Sequence, residues 1–122
     1  MPASARQSQH QATPTTSDWR RALHTVFLSR ALDRLEESRL VPERKVLYQF
    51  SARGHDLTQA LLGLNLTGQR DAVAPYYRSR PLALALGLTA EEALASTMMR
   101  AEGMSAERDI GVVINRPNRN GP

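Results

Sequence analysis

The sequence contains no cysteine, and that one absence removes disulfides, thiolate metal sites and cysteine nucleophiles together. Aromatic residues make up only 5% of the chain, so any core must be built from Leu, Ala and Val. The three histidines, His10, His24 and His55, are far apart, and without cysteine no zinc-ligand spacing exists. There is no Gly-rich phosphate loop of dinucleotide or Walker type and no serine elbow of the hydrolase kind. No apolar run reaches the length of a membrane span. Residues 1–17 lack the apolar stretch of a secretory signal, so a cytoplasmic protein is the expectation. No internal repeat is present.

What remains is a chain of 122 residues, 41% hydrophobic, long enough for one small domain. Its formal charge is +4, and Lys45 is the only lysine among sixteen basic residues. Arginine suits planar, paired grips on phosphate or carboxylate, although a GC-rich gene produces the same bias. The basic residues are interleaved with acids and form no stripe, which argues against a nucleic-acid surface.

Residues 1–17 are rich in Ser, Thr, Gln, Pro and Ala without periodicity and predict a disordered arm. Ser17 or Asp18 can cap a helix running to about Arg39. Its apolar stripe is Trp19, Ala22, Leu23, Val26, Phe27, Ala31, Leu32 and Leu35, with Arg20, Arg21, Arg30, Arg34, Glu36 and Glu37 on the opposite side. Leu40-Val41-Pro42 breaks the pattern. Residues 46–50 suit a short extended segment, 51–54 a turn, and 55–65 a second helix with Leu57, Ala60, Leu61 and Leu64 on one stripe. Pro81 opens a short helix to Leu86, with Gly87 in a left-handed conformation after it. Thr89 to Glu92 is a capping box for a helix ending near Ala101, with Gly103 beyond it. Residues 109–114 suit a strand and 116–122 a loop. The expected organisation is an arm (1–17), a helical part (18–103) and a loop or truncated end (104–122).

Two stretches concentrate chemistry. Ser51-Ala52-Arg53-Gly54-His55-Asp56 is a polar turn opening an apolar helix, and helix amino-termini attract anions. The same residues also serve simply as a helix cap. Pro75-Tyr76-Tyr77-Arg78-Ser79-Arg80-Pro81 gathers two phenols, two guanidiniums and a hydroxyl beside a helix start, a set that can hold a diphosphate. Surface arginines flanking half-buried tyrosines would look the same. In an extended backbone Arg78 and Arg80 point together, away from Tyr77 and Ser79. His24 sits beside the apolar stripe and is expected to pack, and His10 lies in the arm, which leaves His55 as the histidine site candidate.

In order and spacing these elements resemble the alpha-type subunit of the thiamine-diphosphate-dependent decarboxylating component of 2-oxo acid dehydrogenases. The branched-chain (2-oxoisovalerate) type is nearest and the pyruvate type next. The resemblance spans about residues 18–115. It is carried by Gly54-His55-Asp56, Gln59-Ala60-Leu61-Leu62-Gly63, Tyr76-Tyr77-Arg78 and the run from Leu82 to Thr89. It implies a mainly α segment as present, forming the amino-terminal part of an α/β thiamine-diphosphate-binding fold. It implies oxidative decarboxylation of a 2-oxo acid with acyl transfer to a lipoyl carrier. Thiamine diphosphate and Mg²⁺ are the implied cofactors. The implied partners are a beta-type dehydrogenase subunit or domain and the lipoyl acyltransferase complex. Tyr77 and Arg78, with Tyr76, match the cofactor's diphosphate contacts. Ser51 and His55 fall near the substrate channel, and Asp56 replaces the usual Glu. The family's Gly-Asp-Gly to Asn-Asn metal motif has no match in the chain, so no metal ligand is assigned and the segment alone is expected not to turn over. A non-catalytic helical assembly module derived from that family is the alternative.

Overall fold

A computed structural model describes residues 13–68 and 71–103. These residues are mainly helical and contain no strand. Helix α1 spans Thr16–Leu35, α2 Asp56–Asn65, α3 Arg80–Ala85 and α4 Ala90–Thr97. The expected arm at residues 1–12, and the strand and loop expected beyond residue 103, lie outside the described residues.

Helix α1 begins two to three residues earlier than its sequence suggests. Thr15 is the cap: its hydroxyl accepts from the Asp18 N–H, and the Asp18 carboxylate accepts from the Thr15 N–H. This reciprocal pair satisfies two amide donors that the first turn leaves open. The pair also holds the Asp18 carboxyl below its ordinary range, first through the Thr15 hydroxyl bond.

At its other end the helical run stops at Leu40, where Leu40-Val41-Pro42 is expected to break it, but its last turn is not α-helical. It widens into a π turn over Glu36–Leu40, in which Val41 N–H reaches back to the Glu36 carbonyl. The chain then stops at Arg44, whose positive φ of 55° permits Arg44 N–H to bond Val41 O and Lys45 N–H to bond Leu40 O. Residues 46–50 follow as irregular chain and not as a strand. The Val46 N–H is taken by Leu40 O, and its side chain is buried against this helix end.

Helix α1 packs on α2 and α3 and touches α4, and α2 packs on α3. One apolar cluster joins Ala22 and Val26 to Ala60, with Leu61 and Leu64 around them. The other joins Leu32 to Ala83, Leu84, Leu88 and Ala93. Small residues let the backbones approach: a Cβ on Gly63 would lie 2.5 Å from Ala85 Cβ and 3.2 Å from the Leu82 carbonyl oxygen.

The buried face of α1 is rotated from the expected stripe. Ala22, Thr25, Val26, Ser29, Leu32, Asp33 and Glu36 point inward, whereas Trp19, Leu23 and Phe27 are 44%, 47% and 65% exposed. The reason is steric and electrostatic. Close contact with α2 and α3 favours the small side chains Ala22 and Ser29, and Asp33 and Glu36 are drawn inward by a buried arginine described below. Glu36, expected on the solvated face, is 0% exposed. His24, expected to pack, is exposed.

Helices α3 and α4 both end in a left-handed residue closed by two backbone bonds. After α3, Gly87 (φ 98°) donates to Leu84 O and Leu88 donates to Ala83 O. After α4, Met99 (φ 52°) donates to Ser96 O and Arg100 to Ala95 O. That closure ends α4 at Thr97 and not near Ala101. Gly103 then lies so close to the helix that a Cβ there would sit 2.8 Å from Ser96 Cα. Among the described residues no helix is long and apolar enough to cross a membrane.

Candidate functional site

The Tyr76–Arg80 segment is not extended. It turns at Tyr77-Arg78, with Ser79 N–H bonded to Tyr76 O at 2.8 Å and Tyr76 N–H bonded to the Ser79 hydroxyl at 3.3 Å. The turn separates the two arginines that extended spacing would have placed together. Arg78 stays on the surface, and Arg80 goes into the interior at the first position of α3.

Arg80 is 8% exposed and lies between two carboxylates contributed by α1 and its π turn. Its Nη1 donates to Asp33 Oδ1 at 3.1 Å, and its Nη2 donates to both Glu36 oxygens at 2.7 and 2.9 Å. Other donors complete the two acids. Gln49 Nε2 and the Ser51 hydroxyl bond the Asp33 carboxylate, each at 2.8 Å, and the Arg53 guanidinium stands 3.9 Å away. The Thr97 hydroxyl, from α4, donates to Glu36 Oε1 at 2.9 Å. Buried carboxylates are tolerated when paired and fully hydrogen-bonded in this way. Sequence reasoning missed this network. The available signal was Asp33 and Glu36, three residues apart on a helix and therefore on one face.

Above the network lies an aromatic surface. Phe50 contacts Tyr77 with ring centroids 4.4 Å apart, Tyr48 lies edge-on to Phe50 at 5.1 Å, and Tyr76 edge-on to Tyr77 at 4.9 Å. The Arg78 guanidinium stands 5.7 Å from the Phe50 centroid and 5.6 Å from that of Tyr77. Among the described residues no carboxylate pairs with Arg78, while its carbonyl accepts from Gln59 Nε2. Tyr76 and Tyr77 are 56% and 41% exposed. A cavity of about 20 Å³, lined in part by Glu36, Phe50, Tyr77, Arg80 and Thr97, lies beneath these rings. It has room for one water molecule.

Of the predicted residues, the structure therefore brings Tyr76, Tyr77 and Arg78 onto one aromatic surface and ties Ser51 to the acid network below it. Ser51 is not a cap for α2: it donates to Asp33 and accepts from Arg53 N–H. The helix-cap position falls to His55, which uses no side-chain bond there. His55 is exposed, and among the described residues its side chain shares no hydrogen bond or ion pair with Tyr77 or Arg78. Asp56 is buried and paired to Arg30 across α1 and α2. The Arg30 hydrogen bond is the main cause holding the Asp56 carboxyl below its ordinary range, and the same bond raises Arg30.

The acids present do not fit a magnesium site. Magnesium requires oxygen ligands that remain open to it, and Asp33 and Glu36 are occupied by Arg80 and neutral donors. Among the described residues no group of three or more His, Asp or Glu side chains converges. A more open groove of about 400 Å³ runs beside Arg20, Arg21 and His24 near Leu64 and Ala85. Those last two residues mark the carboxyl ends of α2 and α3. Such ends carry partial negative charge, which complements the Arg20 and Arg21 guanidiniums that line the same groove.

No family model, no curated protein and no solved structure matches the chain.

Proposed function

We propose that this chain supplies the amino-terminal, diphosphate-gripping segment of an alpha-type 2-oxo acid dehydrogenase subunit. The observation that carries the reading is the Tyr77-Arg78 turn: an exposed guanidinium without a carboxylate partner, backed by Tyr77 and Phe50 and set beside exposed phenols. Arg78 offers charge and paired donors to a phosphate, and the Tyr77 and Tyr76 hydroxyls add directed hydrogen bonds. Thiamine diphosphate, once held, supplies the carbanion-stabilising chemistry that decarboxylates a 2-oxo acid. The chain's own contribution is to bind and orient the diphosphate, while Mg²⁺ ligands come from outside these residues. Ser51 is placed here as a positioning group below the surface, and His55 as a separate, exposed residue without a shared geometry.

The test is titration calorimetry with thiamine diphosphate and Mg²⁺, on the chain alone and on the chain combined with a beta-type subunit. Binding is expected to be weak or absent alone and measurable in the combination, with Arg78→Ala weakening it at least tenfold. Tight stoichiometric binding by the chain alone, or an Arg78→Ala variant that binds like wild type, would refute the proposal.

A second reading is a non-catalytic assembly module. It is favoured by the exposed apolar row Trp19, Leu23 and Phe27 along α1, an apolar face without cover among the described residues. Co-elution with a beta-type subunit that survives Arg78→Ala and is lost in Leu23→Asp, without turnover, would favour this reading over the first.

A further inference from the structure

We infer that Asp33 is a positioning residue that couples the Ser51 turn to the Tyr77-Arg78 turn. The two turns are far apart in sequence and share no backbone hydrogen bond. They meet on one carboxylate. Asp33 Oδ1 accepts from Arg80 and from Gln49, and Oδ2 accepts from Ser51. Asp33 is 2% exposed, so solvent offers its carboxylate no replacement for a lost donor. Arg80 is two residues from Arg78 and immediately follows Ser79, whose N–H closes the turn on Tyr76 O. On the other side Ser51 Oγ accepts the Arg53 N–H and so fixes the start of its own turn. A second link runs along the surface: Phe50, next to Ser51, contacts the Tyr77 ring and lies under the Arg78 guanidinium.

Each segment is therefore held by the same two elements, a buried carboxylate below and a ring contact above. Loosening either turn removes a partner from Asp33 and leaves the other less well held, which is the condition for cooperative ordering. The consequence for the diphosphate grip rests on the function proposed above: a ligand that orders Tyr77-Arg78 also orders the Ser51 turn. Glu36 grips the same Arg80 guanidinium from its other side, but its further partner is Thr97 on α4 and not the Ser51 turn.

Amide hydrogen exchange on the intact chain tests the coupling. Ser51→Ala removes one hydroxyl from a half-buried position and leaves the packing of the helices in place. It is expected to speed exchange at Tyr76 and Ser79 by about fivefold, the fold-change that corresponds to a coupling of about 1 kcal/mol. The Glu92 amide, held by the remote Thr89 cap, serves as the reference and stays constant. In the other direction Arg80→Lys is expected to speed exchange at Arg53. Thr97→Val removes a donor from Glu36, which reaches Asp33 only through Arg80, and should move Arg53 less than Arg80→Lys does. The inference is overturned if Ser51→Ala affects residues 51–55 alone, if Glu92 rises with Ser79, or if Thr97→Val moves Arg53 as much as Arg80→Lys does. Arg78 makes no bond to Asp33, so Arg78→Ala leaves the coupling intact. A failed cofactor titration with intact coupling would refute the functional proposal and not this inference.

Discussion

Replacing Arg80 with methionine keeps most of the side-chain length and removes the charge. In the folded protein this leaves Glu36, at 0% exposure, without a counter-ion, and Asp33, at 2%, with only Arg53 at 3.9 Å. Three charge-assisted hydrogen bonds disappear. Summing them singly at about 1.5–3 kcal/mol each would overstate the loss, because they share one guanidinium. Breaking a buried pair by removing one partner costs about 3–5 kcal/mol. Over the described residues, stabilities of about 0.05–0.15 kcal/mol per residue put the total near 4–13 kcal/mol. Arg80→Met is therefore expected to remove about a quarter or more of the stability. Urea unfolding followed by far-ultraviolet circular dichroism measures it, and with a slope of about 1 kcal/mol per molar the midpoint falls by about 3 M or more. The triple variant Arg80→Met, Asp33→Asn, Glu36→Gln removes the uncompensated charges together and is expected to regain much of the loss. A cost below about 1 kcal/mol for the single variant, or a triple variant less stable than the single one, would refute the view that charge compensation holds this site.

Other perturbations separate local preference from packing. Gly63→Ala improves helix propensity yet places a Cβ 2.5 Å from Ala85 Cβ, so a net destabilisation of about 1–3 kcal/mol is expected in thermal or urea unfolding; a stabilised variant would show that α2 and α3 can separate freely. Thr89→Ala deletes the hydroxyl that caps α4 and should cost about 1 kcal/mol by the same assay. Phe27→Ser changes a residue 65% exposed on the outer face of α1 and should stay within about 0.5 kcal/mol of wild type; a larger loss would mean that this face is covered. Asp56 has a depressed folded pKa, caused first by its bond to Arg30. The stability it contributes is present above the unfolded carboxylate value near ~4 and is lost as pH falls through the lower folded value. The difference in stability between wild type and Asp56→Asn should accordingly shrink on acidification below about pH 4, as read from unfolding curves across pH.

Much of the local structure was legible in the sequence because its causes are local. The Thr89-Glu92 capping box, Pro81 in the first turn of α3 and Gly87 at a positive φ are each produced by residues within a few positions of one another. The early end of α4 at Met99 was not legible, because a methionine in the left-handed region carries no sequence signature. The π turn carried no such signature either: Pro42 marked where the helical run ends but not that it widens before that end.

Composition and pattern by themselves determined that the chain has no thiol chemistry, that its described residues are mainly helical, and that phenols and guanidiniums are concentrated at Tyr76-Tyr77-Arg78. Tertiary structure alone decided which arginine is left for a ligand. Arg78 and Arg80 are equivalent on paper, but the turn at Tyr77-Arg78 sends one outward over Phe50 and the other inward to Asp33 and Glu36. It also decided which face of α1 is buried, because periodicity marks a wide apolar stripe while the packed face is chosen by neighbours. Ala22 and Ser29 admit close backbones, and the two acids meet a guanidinium more than forty residues away. Such contacts depend on where distant segments meet in space, and hydrophobic spacing along one helix carries no record of that.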